Sequence, residues 1–235
     1  MTRSAQKSEL RSFADKAFRF CDALTAPSHL PSDISAINPY TDDQVKEVVR
    51  RFLGRFFNDR NERVFVLGIN PGRFGSGVTG IPFTDPIALS DHCGIENCFQ
   101  KRQELTSTFV YMCIAEWGGA EAFYKDFFLT AVSPIGFTRN GLNFNYYDSR
   151  DFLQYVRPFV VSMLRQQMSF GARRTAIVLG TGKNQAAFAA INSEFCLFER
   201  VLVLEHPRFI LQYRRKQLHE YLRKYQETFA AALAG

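Results

Sequence analysis

Four short apolar runs constrain this chain more than any other feature: Val64 to Ile69, Phe127 to Val132, Thr175 to Leu179 and Val201 to Leu204. Each has the length of a strand. Stretches of helical periodicity alternate with them, from Lys101 to Trp117, Ser149 to Gln167, Gln185 to Ile191 and Arg214 to Ala232. Strands joined through helices pair in parallel, because a parallel pair needs a long crossover, and such a sheet is covered on both faces. The expected fold is therefore α/β, a three-layer α/β/α arrangement around a central four-stranded parallel sheet. Two amphipathic helices precede the first strand. One runs from about Ser4 to Leu24, with Leu10, Phe13, Ala17, Phe18 and Phe20 inward, and one from Asp42 to Phe57, with Val45, Val48, Val49, Phe52 and Phe56 inward. The Pro- and Ser-bearing segment between them, Pro27 to Pro39, reads as a loop. With 235 residues and 46% hydrophobic content, one domain over residues 1–235 is expected, its N-terminal helices (1–60) packed on the α/β core.

In an open parallel sheet, ligands bind outside the carboxyl ends of the strands. Those ends read Asn70-Pro71-Gly72, Ser133-Pro134-Ile135-Gly136-Phe137, Gly180-Thr181-Gly182-Lys183-Asn184 and Glu205-His206-Pro207-Arg208. The sheet would bring all four to one cleft. The first is the richest: Gly68 to Phe83 holds five glycines and two prolines in sixteen residues, which can extend neither a strand nor a helix. It is not a common phosphate loop. The glycines from Gly72 to Gly77 run G-x-x-G-x-G rather than G-x-G-x-x-G, and around Gly180 to Lys183 a P-loop would need Gly where Ile177 stands and Ser or Thr at Asn184.

A net charge of +6 and a pI near 9.1 favour an anionic partner, with Arg208, Arg214, Arg215, Lys216, Arg223 and Lys224 crowded after the last strand. The five cysteines are odd in number and irregularly spaced, and no apolar signal run precedes them, which suggests a reduced, cytoplasmic setting. No run approaches the roughly 20 apolar residues that span a bilayer. His92, Cys93 and Cys98 lack a fourth ligand and match no standard metal site, so neither a metal nor an organic cofactor is expected.

Gly68-Ile69-Asn70-Pro71-Gly72, Phe74-Gly75 and Thr79-Gly80-Ile81-Pro82-Phe83, with a distant His206-Pro207 after the last strand, resemble the two active-site motifs of the uracil-DNA glycosylase superfamily. The single-strand-selective monofunctional branch is the most similar, with a bacterial member expected. The resemblance implies a uracil-DNA glycosylase-like fold and a monofunctional enzyme that flips uracil out of DNA and hydrolyses its N-glycosidic bond in base excision repair. It implies that Asn70 holds the attacking water, Phe83 stacks on the extruded base and His206 donates to uracil O2, with Gly72 and Phe74 also at the base. An amide is a poor base at neutral pH, which agrees with positioning rather than proton removal.

The branch places an Asn three residues before Pro134, where this chain has Ala131. Asn143, Asn145 or Ser133 could supply the missing donor and acceptor, and a looser pocket could take 5-substituted uracils or other deaminated bases. For DNA, the turn Gly180, Thr181, Gly182 and Lys183 at a helix start suits a phosphate, although a plain helix cap reads the same way. Lys183 at a phosphate also argues against strand cleavage through a Schiff base. Pro207, Arg208, Phe209 and Ile210 follow His206 where the resembling enzymes carry an apolar wedge; Phe209 and Ile210 read equally well as core. A monomer acting on DNA is expected. Two rival readings are a catalytically silent DNA-binding module of the same fold and a nucleotide-binding or nucleotide-hydrolysing enzyme.

Overall fold

The computed structural model describes residues 11–234. Helix α1 (Phe13–Ala23) starts at a capping box in which the Ser12 hydroxyl takes the Asp15 N–H and the Asp15 carboxylate takes the Ser12 N–H. The part of the expected first helix before Arg11, including Leu10, lies outside the described residues. Strand β1 (Ile34–Ile37) and a 3-10 turn at Pro39–Thr41 lead into α2 (Asp43–Phe56), capped by Asp42. Strand β2 (Arg63–Gly68) follows, then the short helices α3 (Ser76–Thr79) and α4 (Pro86–Asp91). Next come α5 (Leu105–Glu116), α6 (Ala120–Asp126), β3 (Phe127–Ala131), β4 (Gly136–Arg139) and β5 (Leu142–Phe144). The remainder is α7 (Arg150–Met168), β6 (Ala172–Leu179), α8 (Lys183–Phe195), β7 (Arg200–Leu204), α9 (Pro207–Tyr213) and α10 (Leu218–Leu233).

The four expected strands form one parallel sheet in the order β3-β2-β6-β7. Every residue of β2, at its centre, is buried, so a continuous apolar run rather than an alternating one marks it in sequence. Adjacent side chains on β3 point to opposite faces and show both layers. Phe128 packs against Phe13 of α1, Phe57 after α2 and Phe170 after α7, whereas Phe127 packs against Trp117, Phe123 of α6 and Phe229 of α10. Arg63, fully buried at the start of β2, donates to Tyr124 O at 2.7 Å and pairs with Asp59 at 2.7 Å between the rings of Phe13 and Phe57.

The segment Pro27 to Pro39 is not simply a loop. Its Ile34–Ile37 strand pairs antiparallel with β4, which pairs with β5, giving a second sheet that the sequence reading does not contain. Only Ile34 of β1 is buried, so there is no periodic pattern to read, and its partner is a hundred residues away. The expected helix from Lys101 starts at Leu105. The expected helix from Arg214 divides into a 3-10 turn (Arg215–Gln217) and α10. Cys93 is buried with its thiol against the Tyr111 hydroxyl and its pKa pushed up to about 11 by burial, a state that disfavours the thiolate a metal would need. Among the described residues no group of three His, Cys, Asp or Glu could hold a metal ion, and no helix is long and apolar enough to cross a membrane.

Candidate active site

Backbone hydrogen bonds carry the parallel pairing past the strand ends and hold the turns side by side. Val132 N donates to Gly68 O at 3.0 Å, Ser133 N to Ile69 O at 3.1 Å and Gly180 N to Leu204 O at 2.8 Å. All four turns therefore open on one end of the sheet.

Asn70 leaves β2 half-buried. Its Nδ2 donates to Pro71 O at 3.2 Å and its Oδ1 accepts the Tyr146 N–H at 3.2 Å. The loop beyond it is stitched from inside by Thr79, whose hydroxyl donates to Thr84 O at 2.6 Å and accepts the Ile81 N–H at 3.2 Å. That fold-back delivers Phe83 in the left-handed region, φ 58°, an unusual conformation for a bulky residue and one typical of functional loops. Gly68 makes room for the ring: a Cβ there would lie 2.5 Å from Phe83 Cζ. Asp85, whose place after the motif could suggest a second base, is buried as the cap of α4 and accepts from Ile87 N, Ala88 N and Glu104 N.

His206 ends the β7 turn as the N-cap of α9. Its Nδ1 accepts the Arg208 N–H at 3.2 Å, which leaves Nε2–H as the free donor. Burial first, and Arg208 second, lower its pKa to about 4, so the ring is a neutral donor at physiological pH. Its centroid lies 6.3 Å from that of Phe83, at an interplanar angle of 45°. Glu205 beside it pairs with Lys224 at 2.9 Å, a structural contact.

The other expected site residues divide. Asn143 accepts the Arg73 N–H at 3.2 Å and sets its Nδ2 over Gly72, where a Cβ would come within 3.3 Å. Asn145 instead folds onto Asp148 through both its N–H and its Nδ2. Ser133 is a correction: it is fully buried, its hydroxyl donates to Ile135 O at 2.7 Å and its N–H to Ile69 O, so both of its donors are committed away from the cleft. Phe74 is half-buried with the Arg102 guanidinium 3.7 Å from its ring centre, so that face is already covered. Thr181, Gly182 and Lys183 are exposed at the start of α8, whereas Gly180 has its N–H committed to Leu204. Beyond His206, Pro207 is buried as the first residue of α9 and Ile210 is fully buried, which corrects its reading as a wedge. Arg208 is exposed, and Phe209, 39% exposed, packs on Tyr213.

Two buried residues to which the sequence reading gives no role at the site lie behind it. The Tyr146 hydroxyl donates to Asn184 Oδ1 at 2.8 Å, and Asn184 Nδ2 donates to Leu179 O at 2.9 Å. Asn184 stands out in sequence only as the residue that spoils a P-loop, and nothing local marks Tyr146. At the rim, Glu104 lies over Gly75, where a Cβ would meet its Oε2 at 2.2 Å; burial raises its pKa.

At the ends of its strands the parallel sheet thus carries the Asn70 amide, the Phe83 ring and a neutral His206 donor, an arrangement suited to hydrolysis of an N-glycosidic bond. The family model of the uracil DNA glycosylase superfamily matches residues 55–230, and the chain belongs to that superfamily. Among solved structures, the crystal structure of wild-type Pedobacter heparinus SMUG2 is similar at 40% identity and a TM-score of 0.92, over 95% of this chain and 99% of that one. No curated protein matches the chain.

Proposed function

We propose that this glycosylase excises uracil from DNA, with Asn70, Phe83 and His206 as the residues that touch the extruded nucleotide. The observation that carries the reading is the meeting of Phe83 and His206 rings at the carboxyl ends of β2 and β7, beside an Asn70 amide held by two hydrogen bonds of opposite sense.

The chemistry follows from charge. Cleavage of the C1′–N1 bond leaves a cationic sugar and an anionic base; water adds its oxygen to C1′ and loses a proton, and the released base ends as the neutral species that has taken one up. Asn70 keeps one Oδ1 lone pair and one Nδ2 hydrogen free to hold that water. The His206 Nε2–H, aimed at uracil O2, meets negative charge that exists only as the bond breaks, so it lowers the barrier more than it strengthens binding. Phe83 offers its face to the base, as flipped bases require.

Asn143 is the residue best placed to replace the edge-reading Asn absent at Ala131, since it is fixed to the loop and keeps Nδ2 over Gly72. A single exposed amide is a loose reader, which supports a substrate range that includes 5-substituted uracils or other deaminated bases. Thr181, Gly182 and Lys183 would take a phosphate, with Arg208 and Phe209 at the gap left in the stack. The protein acts on DNA as a monomer in this reading, in the cytoplasm.

Asn70→Ala and His206→Ala are each expected to lower uracil release by about 10²–10³-fold while DNA binding survives. Unchanged release in both variants would remove the residue assignment.

A further inference from the structure

Tyr146 serves two turns of the site at once. Its N–H goes to Asn70 Oδ1 and its phenol, fully buried, to Asn184, itself 1% exposed. Donor and acceptor rules fix every direction in this chain. Leu179 O can only accept, so it takes the Asn184 amide nitrogen; Asn184 Oδ1 therefore faces the phenol, and the phenol must donate. The same rules orient Asn70. The Tyr146 N–H demands its oxygen and Pro71 O demands its nitrogen, which excludes the flipped amide.

The reference point of this chain is the sheet. Leu179 is the last residue of β6, a strand paired on both sides, whereas residues 145–149 after β5 have no regular structure of their own. The Tyr146 ring, packed edge-on against Tyr147 with centroids 5.0 Å apart, spans from that turn to the sheet. Without it, Asn70 would be set by its own neighbour Pro71 and by a turn held only through its internal Asn145–Asp148 bonds and the Ser149 cap of α7, with no tie to the central sheet.

We propose that Tyr146 is a positioning residue for base excision, its phenol anchored on Asn184 so that its N–H sets the Asn70 amide for the attacking water. The inference rests on the reading of Asn70 given above. Displacements of about 1 Å at a reacting group can cost about 10²-fold in rate, so a lost anchor is measurable.

The test is a double-mutant cycle of single-turnover uracil release with wild type, Tyr146→Phe, Asn70→Ala and the double variant, with DNA affinity and melting temperature read alongside. Tyr146→Phe is expected to lower the maximal rate by about tenfold, to change the DNA dissociation constant less than about twofold, and to add nothing once Asn70 is Ala. An unchanged rate overturns the proposal. So does an equal loss in both backgrounds, which is what a merely structural role would give by reducing the folded fraction. If Tyr146→Phe does not fold, Asn184→Leu breaks the same anchor from its other end and is read in the same cycle. Failure of the underlying reading looks different: wild type itself would release no base, and the proposal would fall with it.

Discussion

The rings of Phe83 and His206 lie with centroids 6.3 Å apart and tilted by 45°, although one residue closes the loop after β2 and the other caps α9. The gap between β2 and β7 is spanned by the fold-back at Thr79 on one side and by the helix cap on the other. In the proposed reading a base stacked on Phe83 lies within reach of the histidine donor.

That arrangement predicts two separable effects at Phe83. Phe83→Ala should weaken binding of uracil-containing DNA and slow release by about 5–150-fold together, since base–aromatic stacking is worth about 1–3 kcal/mol. Phe83→Gly should lose at least as much activity yet melt no lower than Phe83→Ala, because glycine adopts the positive φ of 58° without strain. A melting curve of each variant beside its release rate checks both.

His206 makes stability depend on pH in a defined window. Its pKa falls from 6.5 to about 4 on folding, through burial and then Arg208. At pH 7 the folded ring is neutral and the unfolded one mostly so, and the group contributes little. As pH falls below about 6.5 the unfolded chain takes up a proton that the folded one refuses, so stability drops until the folded ring protonates near pH 4. His206→Gln should therefore gain in melting temperature relative to wild type as pH is lowered from 7 to 4. A constant difference between the two would refute the assignment.

Lys183 tests the DNA face. It is exposed at the start of α8, in the turn expected to hold a phosphate. Lys183→Ala should weaken binding to all DNA sequences alike and reduce the slope of log affinity against log salt by about 1. Titrations at several salt concentrations, with an undamaged duplex included, measure that slope; an unchanged slope would place the phosphate elsewhere.

Two glycines predict opposite outcomes on alanine substitution. At Gly136 a Cβ would lie 2.1 Å from Pro71 O, a backbone atom next to Asn70, so Gly136→Ala should cost about 1–3 kcal/mol of stability and slow base release as well. At Gly54, inside α2, a Cβ meets nothing within 4 Å, and Gly54→Ala should stabilise by about 0.5–1 kcal/mol with activity unchanged. Denaturant unfolding of both variants reads the contrast.

The parts legible in sequence share a physical reason. The four strands of the central sheet are continuous apolar runs because that sheet is covered on both faces, and a polar turn marks where each one ends. Asn70, Phe83 and His206 stand in short motifs, and the structure brings the turns that carry them to one end of the sheet. The second sheet was not, since β1 buries one residue of four and pairs with a segment far along the chain. Ser133 and Ile210 looked available because a polar residue in a turn and an apolar one after a histidine carry no sign of burial; tertiary packing decided both. Tyr146 left no trace and Asn184 only its place in a strand-end turn, because the bond between a buried phenol and a buried amide joins turns distant in sequence.

The most direct measurement is cleavage of labelled oligonucleotides that carry one uracil, as single strand, U·G pair and U·A pair, with and without alkali after incubation. Release of uracil by a monofunctional glycosylase predicts strand breaks at the uracil position only in the alkali-treated samples, abolished together by Asn70→Ala and His206→Ala to within the expected residual rates. No break in any of the three forms would contradict uracil as the substrate, and breaks without alkali would contradict hydrolysis by water alone.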